Sequence, residues 1–103
     1  MTGIEMIANE RRRQLEVKGY GPEHDDLHVD GELAVAAACY AMAGDEAAIS
    51  RAAVMDVETL EDAFPWGADC DNRGEKGRIR ELVIAGALIA AEIDRLLRLE
   101  AKE

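Results

Sequence analysis

Three places in the chain set chemistry-bearing side chains among apolar ones. His24, His28 and Glu32 follow one another at intervals of four, so on a single helix they share a face with Val35, Cys39 and Met42. Arg11 falls in the middle of a stripe formed by Ile4, Ile7, Ala8 and Leu15 at about 100° per residue, with Gln14 at its edge and Arg12 and Arg13 pointing away. Glu92 lies in the richest part of a third stripe, with Glu81, Ala85, Leu88, Leu96 and Leu99, while Asp94 and Arg98 share the opposite side. A carboxylate in such a position does not stay charged and alone; it finds a partner or takes up a proton.

Three arrangements would satisfy Arg11, His28, Glu32 and Glu92, with His24 and Glu81 as additions. Carboxylates from separate helices facing a common interior hold divalent cations in helical bundles, which makes Glu32 and Glu92 the candidate metal ligands. A buried ion-pair network, in which Arg11 or Arg95 neutralises the glutamates, needs no ligand at all. A polar pocket for a small molecule would use Arg11 and His28 as anion contacts and Tyr40, Tyr20 or Trp66 as a stacking surface.

Other chemistry is absent from the pattern. Cys39 sits among alanines as a small core residue, and Cys70, 31 positions away, shares no CxxC or Cys/His spacing with it. The His24–His28 pair has the spacing of a metal pair, yet Asp25 stands where a zincin has its glutamate. Neither Gly19-Tyr-Gly21 nor Gly74–Gly77 forms a phosphate-binding glycine loop.

The elements that must position these groups read as helices. Thr2 is a cap and Gly19 a stop for a first helix. Pro22 opens a second, with Glu23, Asp25 and Asp26 suited to its positive end, and high alanine content supports a continuous or slightly kinked run to Ala43; a break at Gly31 would be the alternative. Asp45 caps a third, with the stripe Ile49, Ala53, Val57, Leu60 and Phe64, and 65–77 reads as a loop in which Trp66 is a core plug or, as the second choice, a lid aromatic. The last helix runs from about Arg78 to the C-terminus, its apolar residues nearly encircling it and Gly86 permitting a close contact. The expected fold is all-α: a bundle of about four helices with a long apolar C-terminal helix, one domain over 1–103, homo-oligomeric through that last helix.

Composition narrows the partners. With 103 residues, 49% of them hydrophobic, the chain can bury one modest core. Its charge of −10 opposes direct binding to nucleic acid or an anionic membrane, and the excess is local: residues 21–62 carry eleven acids and one base, whereas 1–20 and 63–103 are nearly balanced. The longest apolar run, Leu82–Ala91, is far shorter than a membrane span, and no signal-like segment precedes Gly19, so a cytoplasmic protein is expected.

The strings Glu10-Arg-Arg-Arg-Gln14, Glu23-His-Asp-Asp-Leu-His28, Gly31-Glu-Leu-Ala-Val-Ala-Ala37, Pro65-Trp66 and 85–95 resemble the small accessory proteins of phage and prophage genomes, over nearly the whole chain. More remotely, a Glu-bearing helix followed by a long helix with an inward acid is similar to the all-α nucleoside triphosphate pyrophosphohydrolases of MazG type, which hold magnesium with ExxE and ExxD. Here Val35 follows Glu32 and Arg95 follows Glu92 at the third position, so two of those four acids have counterparts.

The resemblance implies a phage-type accessory role in the host cytoplasm and no particular biochemistry. With the acids depleted and Arg11, His28 and Arg95 nearby, the expected function is binding of a nucleotide or related phosphorylated small molecule between helices, through Arg11, His24, His28, Glu32, Tyr40, Trp66, Glu92 and Arg95, and its sequestration in counter-defence. The enzyme alternative is magnesium-dependent pyrophosphate cleavage, with His28 or Asp26 orienting water. The third is an acidic inhibitor covering a basic surface of a host defence protein.

Overall fold

The computed structural model describes residues 1–42 and 77–102. These form four helices and no strand: α1, Gly3–Glu16; α2, Pro22–Asp25; α3, Glu32–Met42; and α4, Arg78–Lys102. The fold is all-α, and no helix among the described residues is long and apolar enough to cross a membrane. The expected helix over 45–64 and the placement of Trp66 lie outside the described residues.

Thr2 starts α1 through a capping box. Its hydroxyl accepts from the Glu5 N–H at 3.2 Å, and its own N–H donates to the Glu5 carboxylate at 3.0 Å. The chain leaves α1 through Gly19, whose φ of 72° is a left-handed value that glycine adopts without a Cβ penalty. The Tyr20 N–H then donates back to the Gln14 carbonyl at 2.8 Å, which returns the chain toward α1.

The continuous helix expected over Pro22–Ala43 is divided. α2 ends after one turn, and Gly31, with φ of 82°, redirects the chain before α3 begins. The propensity of the alanines is felt only beyond Gly31. On the near side, the His28 N–H closes onto the Asp25 carbonyl at 3.0 Å, and the Glu32 carboxylate reaches back to accept from the Asp30 N–H at 2.6 Å. Local bonds of this kind stand in for the helical ladder at the break.

The core lies between α3 and α4, where Leu33, Ala36, Ala37 and Tyr40 pack on Ile84, Ala85, Leu88 and Ala91. Alanines on both helices let the backbones approach closely. Cys39 is buried on the same helix, in keeping with a small core residue. The long α4 spans the domain, but its apolar residues do not all turn inward: Leu96 and Leu99 remain exposed, and so does a whole side of the helix.

α1 also differs from its wheel. Ile4 is 82% exposed and Ala8 and Leu15 are also exposed, whereas the buried residues of α1 are Glu10 and Gln14. Only Ile7, on the edge shared by the two faces, packs inward, its side chain over Gly86 of α4. The helix is oriented by the ion pairs of Glu10 and Arg11 rather than by its apolar stripe.

Candidate functional site

A cavity of about 250 Å³ opens between the four helices. Leu33 and Tyr40 of α3 and Ile84, Leu88 and Ala91 of α4 form its apolar side. Glu10, Arg13, Gln14 and Lys18 come from α1 and the turn after it, and Tyr20, His24, Asp25 and His28 from the segment around α2. The break at Gly31 lets this wall exist, since it frees α2 to pack on α4 with Asp25 paired to Arg11 of α1, while α3 runs along α4.

Three rings form a ladder in that wall. Tyr20 and His24 stack with centroids 4.6 Å apart and planes 16° from parallel, and His28 meets His24 edge-on at 5.0 Å. The one-turn α2 provides the offset that places these rings in succession.

The acids of the wall are already balanced. Glu10, buried at 3% exposure, accepts two hydrogen bonds from Arg13, at 2.8 and 3.0 Å, and a further one from Arg80 of α4. Burial pushes its carboxyl up, but the hydrogen bonds and charges of Arg13 and Arg80 outweigh this and hold it below the ordinary range. Asp25, 2% exposed, accepts from Arg11 at 2.9 Å, and His24 Nδ1 lies 3.3 Å from its other oxygen. Arg11 also donates to Gln14 at 3.4 Å, and Gln14 to Glu10 at 3.4 Å, which links the two carboxylates into one chain of polar contacts.

A second polar group surrounds the start of α3 and the later turns of α4. His28 Nδ1 is 3.3 Å from Glu32, Arg95 donates to Glu92 at 2.6 and 3.3 Å, and Arg98 donates to Asp26 at 2.7 and 3.2 Å. Burial pushes the Glu32 carboxyl up; bonds from the Asp30 and Glu32 N–H groups and from His28 outweigh it, leaving a net downward shift. The hydrogen bond to Glu92 raises Arg95 further, helped by the charges of Asp26 and Glu32.

The residues singled out by pattern are therefore divided. His24, His28 and Tyr40 line the cavity. Arg11 stands behind that wall, tied to Asp25, which answers its place in an apolar stripe with a carboxylate rather than a ligand. Glu32, Glu92 and Arg95 belong to the second group, outside the cavity lining, where Arg95 takes Glu92 and His28 takes Glu32. Arg98, which the wheel sets on the side of α4 opposite Glu92, pairs with Asp26 at the end of α2. Glu10, Arg13, Lys18 and Asp25 are the site residues that pattern missed. The Glu10–Arg13 spacing of three was the available signal for one pair.

Among the described residues, no group of three or more His, Cys, Asp and Glu side chains is placed to hold a metal ion. Compared with known proteins, the chain shows no significant similarity to any family model, curated sequence or solved structure.

Proposed function

We propose that the protein binds a small phosphorylated molecule of the nucleotide class in the cavity between α1, α2, α3 and α4, and retains it without cleaving it. The observation that carries this reading is the Tyr20–His24–His28 ladder beside an apolar floor, an environment suited to a flat heterocycle. At about 250 Å³ the cavity suits a base with part of its sugar. Phosphates would project past Arg13 toward the exposed Lys18.

Charge balance supports an anion here despite the acidic composition. Glu10 and Asp25 each carry guanidinium partners, so the wall offers acceptor oxygens to a base amino group without two uncompensated charges. Retention is favoured over magnesium-dependent hydrolysis because the two acids that would hold the metal, Glu32 and Glu92, are engaged by His28 and Arg95. Such a protein would act in the cytoplasm by lowering the free concentration of its ligand, the role of a phage counter-defence protein.

Thermal unfolding with a panel of nucleoside mono-, di- and triphosphates and cyclic nucleotides, with and without magnesium, tests the proposal. A ligand at 100 times its dissociation constant should stabilise the fold by about 2.7 kcal/mol. Tyr20→Ala and Lys18→Ala should each weaken binding at least tenfold, and Glu92→Gln should leave it unchanged. Release of pyrophosphate would replace retention by catalysis, and no response to any nucleotide would overturn the reading.

A further inference from the structure

On α4, opposite the wall of the cavity, Ile79, Leu82, Ile89, Ile93, Leu96 and Leu97 form a stripe along the helix, each between 43% and 68% exposed. Ile79, Leu82, Gly86, Ile89, Ile93 and Leu96 follow one another at alternating intervals of three and four, the spacing of a coiled-coil seam. Ile7 of α1 lies over Gly86, so the glycine position is filled from within the chain and the seam is continuous at its middle. Ile4, one turn earlier on α1 and largely exposed, extends the apolar surface beyond Ile7.

We infer that this face of α4 pairs with the same face of a second copy of the chain, with the two helices antiparallel. The area fits such a pair. Six half-exposed aliphatic side chains open on the order of 500 Å² of apolar surface, the upper part of what monomers leave uncovered, and two copies together supply about the 1,000 Å² that a specific interface needs.

Self-pairing also follows from the order of the residues. In an antiparallel register Ile79 meets the second copy's Leu96, Leu82 its Ile93, and Gly86 with Ile7 above it its Ile89, and a two-fold axis repeats each layer. Every layer then has a large aliphatic side chain on at least one side. A parallel pair would set Gly86 against Gly86 and align the two helix dipoles, which antiparallel packing opposes. The cavity residues Ile84, Leu88 and Ala91 lie on the other side of α4, so pairing leaves both cavities open, and it stands or falls separately from ligand binding.

Sedimentation equilibrium across micromolar concentrations tests this. The unmodified chain should be dimeric. Ile89→Lys and Ile93→Lys should each raise the dissociation constant about 100-fold or more while leaving helical content unchanged, since both positions are half-exposed in the single chain. A monomer throughout, or a dimer indifferent to both substitutions, overturns the inference. For orientation, a Leu82→Cys chain is mixed with an Ile93→Cys chain, both in a Cys39→Ala, Cys70→Ser background, and oxidised mildly. Cross-links should join unlike chains; cross-links only between like chains overturn the antiparallel arrangement.

Discussion

Glu10 of α1 and Arg80 of α4 meet in an ion pair across 70 positions of sequence, and the same carboxylate is gripped from within α1 by Arg13. The pair ties the first helix to the last at the edge of the cavity. Glu10→Gln keeps the shape but removes the charge that both guanidiniums answer. Removing one member of a fully buried pair costs about 3–5 kcal/mol. The side chains of Arg13 and Arg80 are more than a third exposed, so water takes over part of their solvation. The expected loss is therefore about 1–3 kcal/mol, read from the urea midpoint at unchanged slope.

The same carboxylate makes stability depend on acid. Its folded pKa lies below the ordinary glutamate value of about 4.3, so its contribution is fully present above that value and is lost as pH falls through the lower folded one. Glu32 and Asp26, also lowered, titrate with the same sign, Asp26 through its bond from Arg98. Stability measured by urea unfolding should hold steady from pH 7 to about pH 5 with respect to these groups and decline below about pH 4.3. In Glu10→Gln that decline should be shallower; an equal slope in both proteins would assign the acid sensitivity to other groups.

Gly31 marks the place where local preference and fold diverge. Its φ of 82° disfavours any side chain, though nothing stands within 4 Å of where a Cβ would be. Gly31→Ala therefore meets backbone strain alone and should cost about 1–2 kcal/mol, whereas Gly31→Asn should cost less, because asparagine tolerates the left-handed region. Since the turn sets His28 against Glu32, the alanine variant should also shift the His28 ring resonances in NMR spectra.

Helical periodicity was a sound guide for the part of α4 that packs on α3. α4 starts at Arg78 as its pattern requires, and Ala85 and Leu88 lie in the core as the wheel places them, whereas Leu96 and Leu99 of the same stripe stay exposed. It misled where ion pairs set the orientation. The stripe of Ile4, Ala8 and Leu15 looks like a core face, yet α1 turns Glu10 and Gln14 inward, because a carboxylate with two guanidinium partners can be buried and hydropathy carries no term for partners. Asp25 was hidden for a related reason. Beside Glu23 and Asp26 it reads as one of several acids at a helix start, and only the return of the chain through Gly19 and Tyr20 brings it to Arg11. Arg11 was legible only as a charge misplaced in an apolar stripe, for which a carboxylate partner was one of the arrangements the pattern allowed.

The contact between Ile7 and Gly86 offers a test of how tightly α1 is seated on α4. A Cβ added at Gly86 would lie 2.5 Å from the Ile7 Cδ1 and 2.8 Å from its Cγ1, so Gly86→Ala forces the Ile7 side chain aside. In helix propensity the alanine gains about 0.8–1.0 kcal/mol. Overpacking costs typically 1–3 kcal/mol and offsets that gain. The single variant should thus range from nearly neutral to about 2 kcal/mol destabilised. Ile7→Ala alone removes a half-buried aliphatic group and should also destabilise. In the double variant the space vacated by Ile7 accepts the new methyl group, the propensity gain is realised, and the combined cost should fall below the sum of the two single costs by about 1 kcal/mol. Strict additivity in that double-mutant cycle, measured by urea unfolding, would mean that α1 does not rest on α4 at this point.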